Sequence, residues 1–258
     1  MEKRKNRTME IERKKFQGVL NILSFNRHFY VIGLVILFLI LGICIYLNFS
    51  KIIIWFVISA FLYGLLMPLI ISAYVYDFSG YYNFNWFKNL DIIDSKETKI
   101  VNINAGFDET SFSIKNKFPK SDLKVFDFYN SEKHTEPAII RARKVSEIYP
   151  NTSQIKTNAI PLKENTVDVI FLLSAIHEIR KDKEKIEFLK ECKRICKPKG
   201  KIIIVEHLRD IPNFFAFTVG FTHFFSKKTW FKVLNEAGFP TIHEQKFTPF
   251  MSIFKTKK

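Results

Sequence analysis

Two uncharged apolar runs, residues 29–47 and 52–76, constrain this chain more than any other feature. The first (FYVIGLVILFLILGICIYL) holds nothing more polar than Gly and Tyr, and the second adds a few small polar residues. Each exceeds the roughly 18 apolar residues that suggest a bilayer-crossing helix. Only Asn48, Phe49, Ser50 and Lys51 separate them, so the pattern predicts a tight antiparallel transmembrane hairpin. A cleaved signal is not expected, because the first run is long, lacks a small-x-small cleavage site and is followed by a second span. Pro68 is tolerable in a bilayer helix if neighbours satisfy the carbonyl it frees.

The flanks set the expected orientation. Lys3, Arg4, Lys5, Arg7, Arg13, Lys14, Lys15 and Arg27 precede the first run, whereas the short loop carries a single lysine, Lys51. The positive-inside rule then makes residues 1–28 a basic cytoplasmic tail and returns residues 77–258 to the same side. The expectation is a multi-pass protein of a bacterial inner membrane with both termini cytoplasmic. Tyr74, Tyr76, Tyr81, Tyr82 and Trp86 stand where an interfacial aromatic belt belongs. A net charge of +15 fits either nucleic acid or anionic lipid, and the apolar runs favour lipid. The partners expected are therefore a lipid bilayer and no nucleic acid. The three cysteines, Cys44, Cys192 and Cys196, form no paired CxxC pattern, and no metal is implied.

Beyond residue 97 short apolar runs alternate with amphipathic stretches. KIVNIN (Lys99–Asn104), residues 123–128, VDVIFLL (Val167–Leu173) and residues 201–206 read as strands. The last two are continuous in hydrophobicity, the mark of strands covered on both faces of a parallel sheet. Residues 182–196 place Ile186, Leu189, Cys192 and Cys196 at helical spacing. The opposite face, including Lys185, and the run 181–185 read as solvated surface. The fold class expected is α/β, a doubly wound, mostly parallel sheet preceded by the transmembrane α-hairpin.

Five stretches in order carry a resemblance over residues 77–258. They are the run from Ile100 to Gly106; Asp127 at the end of the second strand; Ile160-Pro161-Leu162 leading to Asn165-Thr166-Val167-Asp168; Ser174-Ala175-Ile176-His177-Glu178; and Lys197-Pro198-Lys199-Gly200-Lys201. Residues 230–239 (WFKVLNEAGF) add a sixth, like the helix before the family's final antiparallel strands. Together they resemble the class I S-adenosylmethionine-dependent methyltransferases. The resemblance implies S-adenosyl-L-methionine as cofactor, held near Asn102, Asn104, Ala105 and Gly106, with Asp127 on the ribose hydroxyls. Phe128 beside the adenine, Asn158 on the base and Ser174 complete the implied set. The sequence departs from the family's Asp-x-Gly-x-Gly-x-Gly loop, with Asn102, Asn104, Gly106 and Asp108 at the matching positions.

Methyl transfer needs an aligned nucleophile and often a base. His207, His177 and Glu178 fall after strands, at the mouth where such sheets bind ligands, and are the catalytic candidates; Glu206 and His223 rank behind them. Residues 211–225 (IPNFFAFTVGFTHFF) are apolar but too short for a span, and would lie over the substrate mouth. With the hairpin they point to a hydrophobic or lipid-like small-molecule acceptor. The rival reading is a non-catalytic, membrane-tethered α/β protein that binds a ligand or partner.

Overall fold

The computed structural model describes residues 14–84, 86, 90–133 and 136–258. The basic residues Lys3, Arg4, Lys5, Arg7 and Arg13, which carried most of the orientation argument, lie outside the described residues. The first helix of the described residues is α1 (Gln17–Phe25), inside the stretch read as a tail. Helices α2 (Arg27–Tyr46) and α3 (Lys51–Ser72) follow as the hairpin. Asn48 makes the turn with φ of 54°, a left-handed conformation that Asn accepts more readily than most residues. Helix α3 runs on into a π-helical turn, Ala73–Phe78. The spans of 20 and 28 residues that result are long and apolar enough to cross a membrane. Most of their apolar side chains are exposed, with Ile52 81% and Phe38 69% exposed, as expected of helices that are hydrophobic all round, while Leu37, Cys44 and Ile71 are buried.

The remaining chain builds a seven-stranded sheet. Strands β1 (Lys99–Asn104), β2 (Asp122–Asp127), β3 (Ser153–Gln154), β4 (Val167–Leu173) and β5 (Cys196–His207) are parallel. Strands β6 (Ile242–Thr248) and β7 (Met251–Lys257) form an antiparallel hairpin, and β7 also pairs antiparallel with β5. The order is β3-β2-β1-β4-β5-β7-β6, so the winding reverses between β1 and β4. A crevice opens there at the carboxyl ends, the usual place for a ligand. The doubly wound expectation holds. Strands β1 and β4 coincide with the sequence reading, while β5 starts earlier. Cys196 pairs with Val167 ahead of a bulge, and the regular ladder resumes at Lys201 opposite Val169.

Helices α4 (Ser111–Lys117), α5 (Pro137–Val145), α6 (Asp182–Ile195), α7 (Ile211–Phe217) and α8 (Lys227–Glu236) clothe the sheet. One core layer joins Ile170, Leu172, Ile202 and Ile204 to Phe188 and Leu189 of α6 and Trp230 and Leu234 of α8. The other joins Phe171, Ile203 and Val205 to Tyr81, Phe84, Trp86, Ile114 and Phe118. Fully burying one such side chain stabilises the fold by about 1.5–3 kcal/mol.

Two expectations are corrected by this packing. Tyr81 and Trp86 are buried against the sheet instead of forming an interfacial belt, with the Trp86 Nε1 donating to the Tyr81 carbonyl at 3.1 Å. An aromatic-rich segment that follows a span also supplies the volume that fills a sheet face, and packing takes it here. Lys185 is not surface: it is 0% exposed, its ammonium 3.3 Å from the Phe225 ring centroid. The apolar stretch after β5 folds back over α6 and covers it, which helix periodicity does not report.

Polar bonds fasten α1 to the domain. Asp77 accepts from the backbone N–H groups of Gly18 and Val19 at 2.8 and 3.2 Å, supplying acceptors that the first helical turn lacks. Glu109 accepts from Gln17, Asn21 and Tyr82, and Arg141 donates to the Phe25 carbonyl.

Candidate functional site: a cavity between the hairpin and the strand ends

A cavity of about 1060 Å³ lies between the lower hairpin and the carboxyl ends of β4 and β5. Its apolar wall comes from α1 and the near ends of α2 and α3, including Phe25, Phe29, Ile32, Ile36, Leu65 and Pro68. Gly64 and Pro68 both face it; Pro68 has no N–H to offer the carbonyl four residues back, so the α3 ladder is interrupted on this wall. The opposite end is polar, with Ser174, His177, Glu178 and His207 beside Tyr76, Tyr81, Glu109 and His223. Ala105 of the first loop borders it too.

Six residues singled out from the sequence therefore line one cavity: Ala105, Ser174, His177, Glu178, His207 and His223. Ser174 ends β4 with φ of 50°, a left-handed conformation costly for a residue with a Cβ and frequent at functional sites. Its N–H donates to the Val205 carbonyl, and its hydroxyl is 3.3 Å from that of Tyr81.

His177 is held by carboxylates. Its Nδ1 lies 2.7 Å from Glu206 Oε2, its backbone N–H donates to Glu206 Oε1 at 3.2 Å, and its Nε2 is 3.4 Å from Glu178 Oε1. Burial opposes charge on the ring, but the Glu206 and Glu178 carboxylates outweigh it and raise its pKa to about 10. His207 is the opposite case. Burial pushes its pKa down to about 4, against the hydrogen bonds that Nδ1 makes to the Phe250 carbonyl and Asn213 Oδ1. The neutral ring donates from Nδ1 to the Phe250 carbonyl at 2.9 Å, which leaves Nε2 to accept from the Tyr76 hydroxyl at 2.8 Å. Tyr76 was not a sequence candidate for the site; only its tertiary contact with His207 reveals it.

The loop after β1 sits beside this cavity. Asn104 Oδ1 accepts from the Gly106 N–H at 3.1 Å, and Gly106 has φ of 94°, where a side chain would be strained. Asn102 is buried and donates to Thr110 and Ser111, fixing the start of α4, while its Oδ1 has no partner among the described residues. Asp127 ends β2 next to Asn104. One carboxylate oxygen accepts from the Tyr129 N–H at 2.8 Å, and the other takes Arg143 Nη1 at 2.8 Å. Arg143 also stacks on the Tyr129 ring at 4.0 Å, and a Cβ at Gly106 would meet its Nη1 at 2.7 Å. Phe128 lies in the core with its ring 5.3 Å from Phe188, and Asn158 is exposed in the turn between Lys156 and Ala159; neither borders the cavity.

Residues 126–204 match the family model described as a methyltransferase domain. The match, from the end of β2 into β5, supports an S-adenosylmethionine-dependent methyltransferase. It covers Asp127, Ser174, His177 and Glu178, while Glu206, His207 and His223 lie beyond it. A highly reducing polyketide synthase of Pyrenophora dematioidea is 34% identical over 91 residues, 30% of this chain. The chain spans about 3% of that relative's length. Among solved structures, a SAM-dependent methyltransferase from Aquifex aeolicus superposes with a TM-score of 0.47 at 20% identity, over 73% of this chain and 97% of that one. Human N-acetylserotonin methyltransferase in complex with SAM does so with a TM-score of 0.48 at 15% identity, over 78% and 58%.

The donor set can be tested against a nucleoside cofactor. A ribose diol needs an acceptor such as Asp127 at a strand end, and a close backbone approach such as Gly106 permits. Both are present, and both are covered by Arg143. The Arg143 side chain is 34% exposed while that of Asp127 is 11% exposed, so it is the guanidinium that has solvent to move into when a ligand takes the carboxylate. The site fits the cofactor once that guanidinium swings aside.

Proposed function

We propose that the chain is a membrane-anchored S-adenosylmethionine-dependent methyltransferase acting on a hydrophobic, lipid-like small molecule at the cytoplasmic face. The observation that carries this reading is a cavity walled by the near ends of two membrane-length helices and closed by polar strand ends. An acceptor with an apolar tail and a polar head matches those two walls. Helix α7 extends the apolar surface, with Phe215 56% exposed, and the Tyr63 hydroxyl of α3 donates to the Phe215 carbonyl at 2.7 Å. The stretch after β5 thus rests on the hairpin, as a membrane-dipping lid would.

Asn102, Asn104, Ala105, Gly106, Asp127 and Ser174 would hold the cofactor, which supplies an electrophilic methyl group when bound. His177 and Glu178 would orient the polar head of the acceptor. His207 would act through Tyr76: an acceptor hydroxyl bonded to Tyr76 Oη passes its proton to Tyr76 as Tyr76 gives its own to the neutral His207 Nε2. General-base assistance of this kind contributes typically about 10²–10⁴-fold.

Methyl-labelled S-adenosylmethionine, incubated with the purified chain and a membrane-lipid extract, tests the proposal. Label is expected in the organic phase, and label confined to the aqueous phase would count against a lipid-like acceptor. The second reading, a non-catalytic ligand- or partner-binding protein, is favoured by the Arg143–Asp127 pair, which takes up the carboxylate proposed for the ribose. Cofactor binding without turnover on any extract would support it.

A further inference from the structure

At the polar end of the cavity two histidines and a carboxylate converge. His177 Nε2 is 3.4 Å from Glu178 Oε1, and Glu178 Oε1 is 3.9 Å from His223 Nε2. One donor atom from each residue lies within 4.8 Å of the others. Donors bound to one zinc-sized cation at about 2.1 Å stand about 3–3.5 Å apart, so a small side-chain adjustment closes the set.

We propose that His177, Glu178 and His223 form a site for one borderline divalent cation of the Zn²⁺ type, with a further coordination position open to the cavity. Two imidazoles and a carboxylate suit a first-row transition ion better than Mg²⁺ or Ca²⁺, which prefer all-oxygen sets. Three protein ligands with a position left free is the pattern of a catalytic zinc, not a structural one.

The surroundings are arranged as such a site requires. Glu206, 1% exposed, fixes the tautomer and plane of His177 through Nδ1, leaving Nε2 directed at Glu178. Glu136 Oε1 stands 3.7 Å from His223 Nδ1 in the equivalent outer position. Arg180 donates to the backbone carbonyls of both His177 and His223, at 3.0 and 2.8 Å, and so ties the two ligand-bearing segments together. Its charge opposes a cation, but Glu178, Glu206 and Glu136 together outweigh it.

The open position would take an oxygen of the acceptor, a hydroxyl above all, because such an ion lowers the pKa of a bound hydroxyl or water. That role rests on the methyl-transfer reading, whereas binding of the ion does not.

The test uses the tag-free full chain in detergent, stripped with chelator, titrated with Zn²⁺ and separately with Mg²⁺, with metal counted after desalting. One Zn²⁺ per chain and no retained Mg²⁺ are expected. His223→Ala should lose the zinc while keeping the wild-type circular dichroism spectrum. Glu206→Gln should bind it about 10–100-fold more weakly, as loss of an outer-shell carboxylate does. Cobalt in place of zinc should give a visible spectrum that His223→Ala changes. Absence of stoichiometric binding, or zinc retained in His223→Ala, would overturn the proposal. The titration contains neither cofactor nor acceptor, so failure here and failure of methyl transfer are read separately.

Discussion

The Arg143 guanidinium caps the Asp127 carboxylate at 2.8 Å while its Cζ lies over the Tyr129 ring, 4.0 Å from the centroid. On the proposed cofactor placement a ribose must displace it to reach Asp127, so Arg143 would compete with the ligand for one carboxylate. Arg143→Ala is expected to tighten S-adenosylmethionine binding by about two- to fivefold, the equivalent of a partly exposed ion pair. Calorimetric titration checks this. Weaker binding in the variant would mean that Arg143 contacts the cofactor instead.

The Tyr76–His207 hydrogen bond predicts a kinetic signature. Tyr76→Phe removes the proton path but leaves the cavity shape, so kcat should fall about 10²-fold or more with little change in KM. An unchanged kcat would assign Tyr76 to packing alone.

His207 also predicts a pH dependence of stability. Its folded pKa of about 4 lies below its ordinary 6.5, so the unfolded chain binds the extra proton first as pH falls. The stability it contributes is present above about pH 6.5 and is lost toward pH 4, by up to about 3 kcal/mol at 1.36 kcal/mol per unit. Thermal unfolding of the wild type should show this acid slope, and His207→Asn should flatten it. His177, with its raised pKa, acts in the opposite direction at alkaline pH and leaves this window untouched.

Lys185 gives the clearest stability prediction. Its ammonium is fully buried, has no hydrogen-bond partner among the described residues, and lies 4.0 Å from Asp182. Burial pushes its pKa down to about 8. Lys185→Met keeps the volume over Phe225 without the buried charge, and should stabilise the chain by about 1 kcal/mol or more. A lower unfolding temperature would show that the cation–ring contact outweighs desolvation.

The apolar wall predicts a division between the two ligands. Leu65→Trp narrows the cavity on the α3 side, away from Asp127 and Gly106. The acceptor KM should rise about tenfold or more, within the range for a misfit in an apolar pocket, with cofactor affinity unchanged. An equal loss for both ligands would place the cofactor against the hairpin.

The parts of this fold legible in the sequence were those written in continuous hydrophobicity. Strands β1 and β4 match their apolar runs, and the two membrane-length spans end within two residues of theirs. The start of β5 was hidden, because Lys197 to Gly200 reads as a turn and the bulge opposite Val167 depends on the neighbouring strand. Helix α1 was hidden in a basic stretch, since its acceptors, Asp77 and Glu109, are remote in sequence. In the site, His177, Glu178 and His207 were legible as polar residues after strands. Tyr76, Arg143 and Arg180 were not, because each acts through a partner that only the folded chain brings near. Tyr81 and Trp86 mislead for a related reason: aromatic side chains suit a membrane interface and a sheet face equally well.

The most direct measurement is titration of S-adenosylmethionine and S-adenosylhomocysteine into the full chain in lipid nanodiscs, beside Asp127→Ala. The account predicts micromolar binding of both ligands, lost in the variant. Absence of binding to the wild type would contradict it, and the domain would then be a binding module without this cofactor.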